Sequence, residues 1–272
     1  MRSARMLGGW VVGLVLAVVG ATAPAASAEG FATSAQASVL VCGGAMMKGN
    51  HFADSVLSVM REHYAGCRRV ALVLHASHPT DRDVMEARLR TAFVHLLGDG
   101  VTVESLHRRD AAGARALLRA ADGIFVGGGE TFVLLGELQR TGQLELIRER
   151  VLAGVPYGGS SAGANVAGLR IGTTNDFPTA EVVSRAALGV FPAVINPHFP
   201  LPETKADHQA RVGKLATYLK FNPDETVLAL GDTSVARLHK GAVALAAGRG
   251  WLYRAAGGRE LGVGEGVREL AP

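Results

Sequence analysis

Between Ser38 and Tyr157, short apolar runs that stop near glycine alternate with longer segments of helical period, and this alternation narrows the fold more than any other feature of the chain. The run SVLVC at Ser38–Cys42 ends in Gly43-Gly44, as expected of a strand covered on both faces. Phe52, Val56, Met60 and Tyr64 then recur at every fourth position, and Gly66 supplies the stop signal of an amphipathic helix. The unit repeats as strand 70–74, helix 80–97 closed by Gly98, strand 101–106, helix 110–120 and strand Gly123–Val126. Helices at 130–139 and 143–153 follow, and residues 155–157 form a short central strand. Strands that alternate with helices predict an α/β fold, a doubly wound and mostly parallel sheet flanked by helices. Beyond it come an apolar segment at 188–195, a helix at 202–219, and strand-like runs at Val227–Leu230, 234–238, 242–246 and 251–253. Gly and Asp break these last runs, which read as hairpins finishing the sheet.

The first 28 residues belong outside this fold. Arg2 and Arg5 precede an unbroken apolar run from Met6 to about Ala23, and Pro24 and Ala26-Ser27-Ala28 follow, the pattern of a secretory signal cut before Glu29. A membrane anchor is the competing reading, but no basic stop-transfer cluster follows the run. Residues 29–272 are then expected to form a single α/β domain, secreted or periplasmic. The signal holds two of the 28 basic residues and none of the 24 acidic ones, which leaves 26 against 24. That near-balance points to neither a nucleic-acid nor a membrane partner. Export permits disulfides, yet Cys42 would close one strand and Cys67 open the next, at opposite edges of a parallel sheet, so free and mostly buried thiols are expected.

Chemistry concentrates at turns that follow strands. Gly159-Ser160-Ser161-Ala162-Gly163 fits G-x-S-x-G with Ser161 central, and shifting the frame to Ser160 loses the second glycine. The pattern suits a sharp strand-to-helix turn that exposes a nucleophilic serine; a plain Gly/Ser turn is the other reading. Gly127-Gly128-Gly129 closes another strand and opens a helix, placing unobstructed backbone N–H groups at the same carboxyl edge. With the N–H of Ala162, Gly128 and Gly129 form a candidate oxyanion hole; a tight turn or phosphate-cradling loop is the alternative. Among nine histidines, His198 in INPHFP follows an apolar strand and is held between prolines and Phe199, a setting that fixes an imidazole. His75 and His78 follow the second strand as an H-x-x-H pair, but without a third ligand nearby they predict no metal site. Asp232 in LALGDTS follows a strand end and is placed to orient a histidine, Asp176 in TTNDFP is a loop carboxylate open to that role or to contact with substrate, and either is equally compatible with an Asx turn.

Taken in order and spacing, VGGGETFVLL, GGSSAGANVAG, TTNDFP and INPHF resemble the dipeptidase E family, aspartyl dipeptidases grouped with cyanophycinase among the serine peptidases. The resemblance covers about Ser38 to the C-terminus. It implies a flavodoxin-like sandwich of the class I glutamine amidotransferase type and a cofactor-independent serine peptidase releasing N-terminal aspartate from dipeptides. It puts the nucleophile on Ser161, the base on His198, the orienting acid on Asp232 where the family carries glutamate, and a further implicated aspartate on Asp176. Ser160 stands where the family typically carries tryptophan. In DHQARVGKL, His208 occupies an expected arginine position and Arg211 matches another, so the grip on an aspartate carboxylate is expected to be weakened. Ser160, Asn165, His208 and Arg211 are the candidate substrate contacts. The expectation is a serine-type Asp-X dipeptidase with no cofactor and a small peptide as partner, with monomer and homodimer both open. An exported cyanophycinase-like hydrolase and a non-catalytic exported binding protein of the same fold are the rivals.

Overall fold

A computed structural model describes residues 34–270. The expected signal segment, residues 1–28, lies outside the described residues. The strands are β1 Ser38–Cys42, β2 Met47–Lys48, β3 His51–Phe52, β4 Arg69–Val73, β5 Thr102–Ser105, β6 Gly123–Val126, β7 Tyr157–Ser160, β8 Val194–Asn196, β9 Val227–Leu230, β10 Val235–His239, β11 Ala242–Ala247, β12 Gly250–Arg254 and β13 Gly257–Leu261. The helices are α1 Asp54–His63, α2 Arg82–Leu97, α3 Ala111–Ala120, α4 Thr131–Arg140, α5 Gln143–Leu152, α6 Ala162–Ala167 and α7 Lys205–Phe221.

A seven-stranded sheet runs β11-β10-β1-β7-β6-β4-β5, parallel from β1 to β5 and antiparallel at β10 and β11. The continuous apolar strands are explained by cover on both faces. Leu40, Val70, Leu72 and Phe125 pack with Val56 and Met60 of α1 and Phe93 of α2 on one side. Val39, Val41, Ala71, Val73, Ile124 and Val126 pack with residues of α3 to α6 on the other. Alternate residues of one strand thus feed two separate cores. Tyr64, Phe52 and Phe125 each meet Phe93 edge to face, with ring centroids 5.1, 5.2 and 5.7 Å apart.

The C-terminal runs divide between two sheets, a correction to the expectation that they finish one. The β10–β11 hairpin extends the main sheet past β1, whereas β9 and β12 join β8 and β13 in a four-stranded sheet of order β13-β12-β9-β8. Phe199, Leu215, Leu219 and Trp251 form a third core between α7 and this small sheet. The segment expected at 188–195 is strand only from Val194 to Asn196. Residues 188–191 instead turn their backbone N–H groups onto carbonyls at the end of α6, including Val166, Ala167 and Gly168, which helps end that helix after six residues. The central strand also continues further than expected, through its glycines to Ser160. A side chain at Gly159 would lie 2.3 Å from the Gly163 carbonyl oxygen, so the closeness of strand and returning helix demands glycine. Both cysteines are free and buried as expected; burial pushes the Cys42 thiol well above its ordinary value and that of Cys67 up to about 12.

Candidate active site

Three turns meet at the carboxyl edge of the sheets. Ser161 is the first residue after β7 and links it to α6 with φ 53° and ψ −112°, a backbone that a non-glycine residue holds only under constraint. The constraint is visible: the Ser161 N–H donates to the Cys42 carbonyl at 3.0 Å, and its own carbonyl accepts from Asn165 N–H at 3.0 Å. His198 and Asp232 each stand two residues past a strand, β8 and β9, and those strands are parallel neighbours with Asn196 opposite Ala229. Equal offsets beyond paired strands deliver the two side chains together. His198 Nδ1 lies 2.6 Å from Asp232 Oδ1, and Nε2 lies 2.8 Å from Ser161 Oγ. An ionised carboxylate only accepts, so Nδ1 carries the proton and Nε2 accepts from the serine hydroxyl. The arrangement can remove that proton and hold the resulting imidazolium.

The glycine loop completes the geometry. Its ends are pinned by Gly127 N–H on the Val73 carbonyl at 3.0 Å and Glu130 N–H on the Ala76 carbonyl at 2.9 Å. Gly128 lies against the serine: a Cβ there would stand 3.0 Å from Ser161 Cβ. The N–H groups of Gly128, Gly129 and Ala162 have no hydrogen-bond partner among the described residues, so all three remain available to an oxygen bearing developing negative charge.

Residues 39–246 match the family described as Peptidase family S51. The chain belongs to peptidase family S51. Peptidase E of Streptomyces coelicolor is 34% identical over 236 residues, spanning 85% of this chain and 94% of the relative. Peptidase E of Haemophilus influenzae is 38% identical over 175 residues, 64% of this chain and 78% of the relative. The crystal structure of a peptidase from an acI-B1 Actinobacterium shares the fold, with a TM-score of 0.63 at 15% identity, covering 85% of this chain and 96% of its own. The protein is a serine peptidase of the dipeptidase E type.

Within this S51 peptidase the other candidate residues sort by where packing sends their side chains. Asp176 does not reach His198. Its Oδ2 accepts from Thr131 N–H at 2.8 Å and Thr131 Oγ1 at 2.5 Å, which caps α4 from a distant loop. Asn165, expected at the substrate, is 1% exposed; its Nδ2 donates to the Ile195 carbonyl and its Oδ1 accepts from Thr131 Oγ1. That carboxamide ties α6 to β8 and is withheld from a ligand, a correction to the sequence reading. His208 is also corrected: its Nδ1 donates to the Pro200 carbonyl at 2.7 Å, and its ring packs edge-on against Phe199 and Trp251. It braces the turn that carries His198. Arg211, three residues along the same helix, faces a different way and donates to Asn175 Oδ1 and, at 3.3 Å, to Asn196 Oδ1. These residues line a cavity of about 350 Å³ with Thr173, Lys214 and Tyr218. Ser160 is half-buried in register with Cys42, and its hydroxyl has no partner among the described residues. His75 is buried with Nε2 donating to Gln143 Oε1 at 2.9 Å, while exposed His78 bonds Thr80.

Asp83, Glu86 and His107 also converge, but Arg90 and Arg108 donate to the two Glu86 oxygens, making an ion-pair network there. Sequence reasoning missed Asn175, Asn196 and Lys214, although the first two sit inside the quoted TTNDFP and INPHFP motifs. It read Gly43-Gly44 only as the stop of the first strand; their pairing after an apolar run, at the same edge as Ser161, was the signal for a place in the site.

Proposed function

We propose that this S51 peptidase is an exported dipeptidase that hydrolyses the bond after an N-terminal aspartate. The observation that carries the acidic preference is Arg211. It is half-buried, burial lowers its pKa by disfavouring the charge, and it has no carboxylate partner among the described residues. A desolvated guanidinium that meets only carboxamides, in a cavity shared with Lys214, suits a carboxylate of the substrate. Asn175 joins this cavity to the reacting side chains, since its Nδ2 donates to the carbonyl of Pro197, directly before His198. An exopeptidase also needs an anion for the free ammonium. Glu130 follows the glycine loop, is exposed, and meets only the Thr179 hydroxyl at 3.2 Å.

In the reaction, Ser161 Oγ attacks the scissile carbonyl carbon as its proton passes to His198 Nε2. The N–H groups of Gly128 and Ala162 hold the tetrahedral oxyanion, and His198 returns the proton to the leaving amine as the carbon–nitrogen bond breaks. Water then attacks the acyl-serine ester by the same route, releasing aspartate and restoring the hydroxyl. Export is supported by the basic, apolar and small-residue pattern of residues 1–28.

A panel of Asp-X, β-Asp-X, Glu-X, Ala-X and N-acetyl-Asp-X substrates tests the specificity. The expected result is hydrolysis of Asp-X at least tenfold above Ala-X and rejection of the acetylated substrate. Equal turnover of Asp-X and Ala-X would refute the acidic preference. Cleavage of long aspartate-arginine polymer in place of dipeptides would favour the cyanophycinase-like reading. For export, the N-terminus of protein recovered outside the cytoplasm is expected to be Glu29.

A further inference from the structure

We propose that Gly44 is a positioning residue of the active site: the space left by its missing side chain is where the His198–Asp232 hydrogen bond lies. The inference rests on the reading of Ser161, His198 and Asp232 as the reacting triad. Gly44 is buried with φ 145°. A Cβ on it would stand 2.2 Å from His198 Cε1, 2.6 Å from His198 Nδ1 and 2.6 Å from Asp232 Oδ1. Those contacts meet both partners of one hydrogen bond at once, and no rotamer of the imidazole relieves the contact with the carboxylate.

The backbone around Gly44 makes the same point. The carbonyls of Cys42, Gly43 and Gly44, consecutive at the end of β1, accept the N–H groups of Ser161 at 3.0 Å, His198 at 2.9 Å and Thr233 at 3.2 Å. The first two donors are the nucleophile and the base, and the third directly follows the acid. Gly43 N–H in turn donates to the Ser234 carbonyl at 2.9 Å. Ser161, His198 and Thr233 all have positive φ without being glycine, at 53°, 51° and 60°. Each strained turn is therefore held by one carbonyl of the same short segment, which fixes the relative positions of side chains supplied by two different sheets. The clamp works only if its last residue has no side chain.

Gly44→Ala tests this in the full-length protein, with Gly257→Ala as the control for positive φ alone, since Gly257 has φ 134° and open space around its Cβ position. The expected result is a fall in kcat of about 10²- to 10⁴-fold with KM within about threefold, because the acid no longer orients the imidazole. Loss of the downfield Nδ1 proton resonance in NMR should accompany it, and Gly257→Ala should keep both kcat and the resonance. In an Asp232→Gly background, adding Gly44→Ala should lower kcat by a much smaller factor than in the wild-type protein, since the hydrogen bond is gone and only the contact with the imidazole remains; this comparison also serves if the single variant does not fold. Unchanged kcat in folded Gly44→Ala, or a full additional loss in the Asp232→Gly background, would overturn the proposal. Wild-type activity that survives Ser161→Ala would instead overturn the triad reading on which it rests.

Discussion

The two sheets contribute to the site in opposite ways. The main sheet supplies Ser161 and the glycine loop from strands whose apolar side chains are almost entirely buried between two helical layers. The small sheet supplies His198 and Asp232, whose side chains remain 45% and 58% exposed. All three turns are tied by backbone hydrogen bonds to the end of β1, but the Ser161 turn also rests on packed strands, whereas the side chains of His198 and Asp232 have little packing beyond those bonds. The comparison teaches that a water-accessible proton relay can be built on a dry scaffold if the exposed half is anchored to the buried half. Here the anchor is the Cys42–Gly44 turn.

Predictions can break or sharpen this contrast, beginning with the exposed half. His198→Ala is expected to lower kcat by about 10⁴- to 10⁶-fold and Asp232→Ala by about 10³- to 10⁴-fold, with thermal stability changed little. Steady-state kinetics beside thermal unfolding would check both, and a large drop in Tm would mean that these side chains hold the fold together. On the buried side, Gly128→Ala is expected to reduce kcat by about 10²-fold by pressing a methyl group against Ser161 and moving the N–H donors. Arg211→Met should raise KM for Asp-X by about 10²-fold while leaving Ala-X nearly unchanged; equal effects on both would remove the cavity from substrate recognition.

Acid stability should report on the scaffold alone. His63 in α1 is buried, with Nε2 donating to the Tyr157 carbonyl of β7 at 2.9 Å, and burial lowers its pKa from 6.5 to about 3. The unfolded chain therefore binds this proton at a pH where the folded chain refuses it. The stability is fully present above about pH 6.5 and is lost as pH falls toward 3, by at most about 5 kcal/mol. Denaturant unfolding from pH 7 to pH 4 should show that loss, and His63→Gln should flatten it. The smallest effect is expected from Asp176→Asn, about 1 kcal/mol of stability through a weaker cap on α4, with kcat kept within about threefold.

What the sequence revealed follows the same division. Strands covered on both faces, such as β1, β6 and β9, announce themselves as apolar runs; His198 and Asp232 were legible because each stands two residues past such a strand, and Ser161 because G-x-S-x-G marks the turn after β7. The resemblance to the dipeptidase E family reinforced those three. β13 was illegible: four of its five residues are exposed and carry no alternation. The division of the C-terminal strands between two sheets was equally hidden, because pairing partners far apart in sequence leave no periodic signal. Asn165 and His208 were misread for a related reason. Motif position placed them near the nucleophile or on the right helix, but side-chain direction was decided by β8, Thr131, Phe199 and Trp251, which only the folded chain brings together.

The central claim is that Ser161 is a nucleophile activated by a base from the other sheet. Reaction of the protein with a fluorophosphonate, followed by peptide mass spectrometry, tests it most directly. One adduct on Ser161 is predicted, abolished by Ser161→Ala and slowed at least 10³-fold by His198→Ala. An adduct on Ser160, or labelling of Ser161 at an undiminished rate without His198, would contradict the account.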